Sequence, residues 1–120
     1  MNNNELKMLR KLFFLEVAEA AKYIGEVEPR TWQRWEEGTR KVPLDIAETM
    51  QMLALTRSDF LAVEFDENDV SYLYFDNIED HAKELGITSV IKWRLAQSVA
   101  AQLLAEEQAL IWQKEETGCG

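Results

Sequence analysis

A chain of 120 residues with a formal net charge of -9 and a single cysteine is long enough for one hydrophobic core or two very small ones, and cores that small are marginal without a partner. The composition excludes a helical bilayer span, since no run of about 18 apolar residues occurs. Cys119, alone between two glycines at the extreme end, excludes an intramolecular disulfide and any zinc-ligand spacing, and reads as a tail thiol.

Nothing at the start combines a basic stretch, an apolar run and a small-residue cleavage site, so a soluble, cytoplasmic protein is expected. Asn2, Asn3 and Asn4 offer N-caps for a first helix in which Leu6, Leu9, Leu12 and Phe13 recur at helical spacing. A second helix spans about Glu16 to Ile24, burying Val17, Ala20, Ala21 and Ile24, and Gly25 is placed to stop it in the left-handed conformation. Pro29 suits the first position of a third helix, with Glu28 as an imperfect N-cap and Gly38 closing it. Pro43 opens a fourth, in which Ile46, Met50 and Leu53 follow i, i+4, i+7 to about Leu55.

Beyond Ser58 the pattern weakens. Phe60, Leu61, Val63 and Phe65 suit a short helix, and Val70 to Phe75 alternates like an extended connector. Asp66-Glu67-Asn68-Asp69 lacks the glycine and terminal glutamate of a calcium loop and reads as a charged surface turn. Asp76 with Glu79 makes an Asp-x-x-Glu start, Ile78, Ala82 and Leu85 share a face, and Gly86 terminates. His81 stands without a second metal ligand or a nucleophile, so a solvated or capping histidine is expected. Thr88 or Ser89 then caps the longest helix, to about Gln113.

The stretch AAKYIGEVEPRTWQRWEEGTRKVP, residues 20–43, carries the functional signal. Two short helices meet at a tight turn; Trp32 and Trp35 lie three apart on the packing face of the second, and Arg30, Gln33, Arg34 and Glu37 fall on the other. That is the layout of a helix-turn-helix that reads DNA. With Trp35-Glu36-Glu37-Gly38 in the position of an apolar-Glu-x-Gly element, the segment resembles the Cro and C1 repressor class, with a turn at Gly25-Glu26-Val27 about one residue longer than usual. The resemblance implies an all-α fold, with a lambda-repressor-like bundle at residues 1–57, a mostly helical dimerisation region at 58–115 and a flexible tail at 116–120. It puts Arg30, Gln33 and Arg34 at base-facing positions and Thr31 at the small polar one. Thr31, Arg40 and Lys41 are expected on the DNA backbone.

In size, in the Arg-Thr-Trp-Gln-x-Trp helix and in the second half through Trp93 to Leu104, the whole chain is similar to the YdiL-like family, which includes small anti-CRISPR-associated repressors. That resemblance implies a dimeric phage or bacterial regulator that shuts down its own operon. The apolar stripe Leu95, Ala96, Val99, Ala100, Leu103 and Leu104 is the expected dimer surface; the alternative is an intramolecular core. Residues 1–57 carry nine cations and nine carboxylates, and the remainder four cations and thirteen carboxylates. Phosphate binding depends on potential within roughly 8–10 Å, so a ridge of Arg30, Arg34, Arg40 and Lys41 can meet DNA while the far half stays acidic.

The expected partners are a double-stranded operator and a second copy, with no membrane, no metal, no cofactor and no enzymatic constellation. An RNA or a protein partner is left open. The competing reading is an antitoxin or adaptor whose acidic half grips a basic partner.

Overall fold

The computed structural model describes residues 1–62 and 74–118, with side chains through residue 107. All described regular structure is helical: α1 (Asn3–Leu12), α2 (Val17–Ala20) running into a π turn (Ala21–Gly25), α3 (Pro29–Glu37), α4 (Leu44–Ala62), α5 (Ile78–Leu85) and α6 (Val90–Gly118). None of these helices is long and apolar enough to cross a membrane among the described residues. Val63, Phe65, the acidic turn at 66–69, most of the expected connector and Cys119 lie outside the described residues.

Local chemistry sets the start of α1. The Asn2 side chain accepts the Glu5 N–H at 2.8 Å while the Glu5 carboxylate accepts the Asn2 N–H at 3.0 Å, a reciprocal cap. Leu6, Leu9 and Phe13 make the inward stripe; Leu12, expected with them, is 43% exposed because its position rotates off that face. The chain then reverses at Phe14, which takes a left-handed φ of 63°, and the Arg10 guanidinium holds the bend by donating to the Leu15 carbonyl at 2.9 Å.

The longer turn after the second helix is absorbed in the backbone. Residues 21–25 widen into a π turn, which accommodates an extra residue without breaking the helical path. The left-handed residue is Glu26 (φ 51°), and Gly25 was expected in that role. Gly25 serves close approach instead: a Cβ there would lie 3.0 Å from Val27 Cγ2, 3.3 Å from the Trp32 ring and 3.4 Å from that of Trp35.

α4 continues through the expected break at Ser58 to Ala62. No glycine or proline interrupts it, and the Thr56 hydroxyl donates to the Met52 carbonyl at 3.0 Å within the helix. The short helix expected at Phe60 is thus the end of α4, and the boundary expected at residue 57 falls inside it. α5 is capped by Asn77, whose side chain accepts the Asp80 N–H at 2.9 Å, in place of the expected Asp76–Glu79 start. Gly86 ends α5 with φ 74°. Ser89 Oγ accepts the Lys92 N–H at 3.2 Å at the head of α6, which meets no breaker before Gly118.

The main core gathers Leu6, Phe13, Ala20, Ala21, Trp32, Trp35 and Met50, and it includes Leu95 from α6, with Ile91 packed against it. The last helix is therefore part of the same packing unit as the first four. Arg94 beside them reaches α2, its Nε and Nη2 each 3.0 Å from a Glu19 oxygen, a fork that matches a carboxylate with two parallel bonds. A second layer joins α4 to α6, where the Arg57 guanidinium is buried and donates to Ser98 Oγ at 3.0 Å and to the Ser98 carbonyl at 3.4 Å.

His81 is a correction to the sequence reading: it is 1% exposed, edge-on to Phe75 at 5.6 Å, with no hydrogen-bond partner on either ring nitrogen among the described residues. It follows half-buried Ile78 by three residues and adjoins half-buried Ala82, and so lies on the inner side of α5, where burial holds its pKa below the ordinary 6.5.

Candidate nucleic-acid interface

The surface of interest is the outer face of α3, and its inner face explains why it is rigid. Pro29 supplies the first helical position, where its missing N–H costs nothing, and Gly38 at φ 84° ends the helix. Trp32 and Trp35 are 0% and 6% exposed, with ring centroids 5.5 Å apart at an interplanar angle of 59°. Between them and the helix end sits Glu36, whose carboxylate receives Arg10 Nε at 2.6 Å and Nη2 at 3.0 Å from α1, as well as the Trp32 indole N–H. The Glu36 carbonyl accepts the Asn3 side-chain amide at 3.3 Å. α3 is thus bolted to α1 by a bidentate ion pair, largely shielded from solvent, at its back.

Past the helix, the Arg34 carbonyl accepts the N–H groups of Gly38, Thr39 and Arg40, the last two at 3.1 and 3.2 Å. Those bonds fix the direction in which the exposed Arg40 and Lys41 leave α3. On the outer face Arg30, Gln33 and Glu37 are exposed, and Thr31 and Arg34 are half-buried at its edges. The structure brings Arg30, Gln33, Thr31 and Arg34 onto one short helix with Arg40 and Lys41 at its end, the grouping expected from sequence. Arg34, Arg40 and Lys41 form no ion pair among the described residues.

Arg30 is different. Its Nη1 lies 3.0 Å from a Glu37 carboxylate oxygen and 3.5 Å from Gln33 Oε1, along the surface of its own helix. Beside the start of α3 an open cleft of about 670 Å³ is lined by Ala18, Lys22, Glu26, Val27, Glu28 and Pro29. Lys22 is a cation that the sequence reading left out of the site. Glu26 and Glu28 complement the positive end of the α3 dipole and make the cleft beside it acidic, with Lys22 as the one cation in its lining.

The expected dimer residues divide. Leu95, Val99 and Ala100 are 2%, 8% and 5% exposed within the single chain, Ala96 and Leu103 are half-buried, and Leu104 is 47% exposed. What α6 leaves for another surface in its described part is the Ala96, Leu103 and Leu104 side. Two structural anchors went unread in the sequence, Arg10 for Glu36 and Glu19 for Arg94, because the partners lie 26 and 75 residues apart and neither pair leaves a local spacing signal.

Comparison with known proteins places the chain. It belongs to the Aca2/YdiL-like family, matched over residues 1–111. It is 37% identical over 113 residues to the Aca2 repressor of Pectobacterium phage ZF40, an alignment that covers 91% of this chain and 97% of that one. To the uncharacterized protein YdiL of Escherichia coli (strain K12) it is 26% identical over 113 residues, covering 89% and 96% respectively.

Proposed function

We propose that this member of the Aca2/YdiL-like family is a non-enzymatic, cytoplasmic transcriptional repressor that binds a double-stranded operator as a homodimer and regulates its own operon. The observation that carries the reading is α3 itself: a helix locked from behind by Trp32, Trp35 and the Arg10–Glu36 pair, presenting Arg30, Gln33 and Arg34 outward. An arginine donates two hydrogen bonds to guanine O6 and N7, and a glutamine donates to N7 and accepts from N6 of adenine, so this face discriminates base pairs in the major groove. Thr31, Arg40, Lys41 and Lys22 supply phosphate contacts that set register. A relative named as a repressor along nearly its whole length supports the same assignment.

Dimerisation follows from the geometry of operators. Two-fold pairing through the Ala96, Leu103 and Leu104 side of α6 sets two copies of α3 on half-sites about 34 Å apart, one DNA turn, and effective concentration combines two weak contacts. The test is selection of bound duplexes from a random pool, followed by titration of Arg30→Ala. Loss of about 1–3 kcal/mol on the selected sequence, with unchanged melting, is the expected result. A variant that binds the selected duplex as tightly as the wild type refutes the docking. A chain that stays in solution only with a co-expressed basic protein, and selects no duplex, supports the antitoxin or adaptor reading instead.

A further inference from the structure

The reading face carries a carboxylate that DNA binding alone does not call for. Glu37 is 47% exposed in its side chain, seven residues after Arg30, and its Oε1 accepts from Arg30 Nη1 at 3.0 Å. Seven residues are about two helical turns, roughly 10 Å of axis, so the two side chains can meet only by reaching along the helix toward each other. Arg30 therefore lies folded back toward the C-terminal end of α3, with Gln33 Oε1 as a second, longer acceptor at 3.5 Å. The guanidinium most exposed on this face, 58% in its side chain, is neutralised by a neighbour on the same helix.

We infer that Glu37 is a specificity-determining residue, an internal competitor that withholds Arg30 from DNA phosphate and yields it to a guanine edge. The inference rests on the DNA-reading function proposed above. An exposed ion pair is weak, so the pair biases Arg30 and does not lock it. A guanine on the groove floor offers two acceptors in one plane and replaces both of the hydrogen bonds that Arg30 gives up. A phosphate met in passing returns less, because it meets Arg30 folded back beside the Glu37 carboxylate, which repels it, whereas an Arg30 extended to the groove floor from the N-terminal end of α3 leaves Glu37 about two turns behind. Non-cognate DNA thus meets a neutral pair, and cognate DNA meets a cation. In a half of the chain where cations and carboxylates balance at nine each, that device keeps non-specific attraction low without removing the residue that reads sequence.

The experiment titrates the full-length wild type, Glu37→Gln, Arg30→Ala and the double variant against the selected duplex and a scrambled one of equal length, over a series of salt concentrations. Glu37→Gln is expected to raise affinity for the scrambled duplex by about threefold to tenfold and to steepen its salt dependence by about 0.9 in log–log slope, the signature of one added phosphate contact. Affinity for the selected duplex is expected to change less than twofold, so discrimination falls. In the Arg30→Ala background the substitution at Glu37 is expected to leave the scrambled slope unchanged. Equal gains on both duplexes, or a steeper slope that persists without Arg30, overturn the inference and leave Glu37 as a plain surface charge. A wild-type chain that prefers no duplex overturns the repressor reading, and this inference with it.

Discussion

Replacing Arg10 by methionine isolates the bolt between α1 and α3. The arginine and Glu36 side chains are only 11% and 8% exposed, and the guanidinium makes three bonds: two to the Glu36 carboxylate at 2.6 and 3.0 Å, and one to the Leu15 carbonyl at 2.9 Å. Methionine keeps most of the apolar stem but leaves a buried carboxylate with the Trp32 indole as its remaining side-chain donor. Breaking one side of a buried pair costs about 3–5 kcal/mol, and the surviving indole bond puts the expected value near the lower end, about 3 kcal/mol. For a chain of this size that is a fall of roughly 12 °C in the midpoint of thermal unfolding followed by circular dichroism. Changing Glu36 to methionine in the same background removes the orphaned charge, and most of the loss is expected to return, with the indole N–H left to account for about 1 kcal/mol. An Arg10→Met protein that melts within 2 °C of the wild type, a shift worth only about 0.5 kcal/mol, refutes the reasoning and makes the pair no stronger than a surface one.

Gly25→Ala sets a Cβ 3.0 Å from Val27 Cγ2 and within 3.4 Å of both buried tryptophan rings, so overpacking is expected to outweigh the entropy gained in the unfolded chain by about 1–2 kcal/mol, read from a chemical denaturation midpoint. His81 binds its proton more readily unfolded than folded, so its contribution to stability is full above about pH 6.5 and is lost as pH falls below that value toward the depressed folded pKa. Melting temperature is expected to drop between pH 7.5 and 5 in the wild type, and to drop less in His81→Phe; parallel curves for the two proteins exclude the histidine as the cause. Leu104→Asp places a charge on the exposed side of α6, and analytical ultracentrifugation is expected to show a folded chain shifted toward monomer. An unshifted dimer moves the pairing surface elsewhere.

The legible parts of the fold were those with local punctuation. Pro29 and Gly38 bracket α3 as read, and Gly86 ends α5, because proline fixes its own φ for a first helical position and glycine takes the positive φ of a helix end without a Cβ clash. The two tryptophans were legible as core from their three-residue spacing. The role of Gly25 was misread because close approach depends on side chains seven and ten residues onward, whereas the left-handed residue proved to be Glu26. The break at Ser58 was inferred from a fading apolar pattern, but α4 there buries Arg57 against Ser98, a polar contact that hydrophobic periodicity does not register. On the candidate interface, residue identities were readable and their pairing was not: Arg30 and Glu37 sit two turns apart on the same face, outside the three- and four-residue spacings by which ion pairs on a helix are recognised.

Leu95 and Ile91 of α6 pack with the core behind α3, and Arg94 grips Glu19 on α2. During synthesis this imposes an order. The segment that carries α3 leaves the ribosome long before the helix that completes its hydrophobic backing, and it stays only partly packed until residue 95 has followed it out. A message cut or stalled upstream of that codon then yields peptides that carry the whole of α3 in sequence but lack the α6 residues that complete its hydrophobic backing.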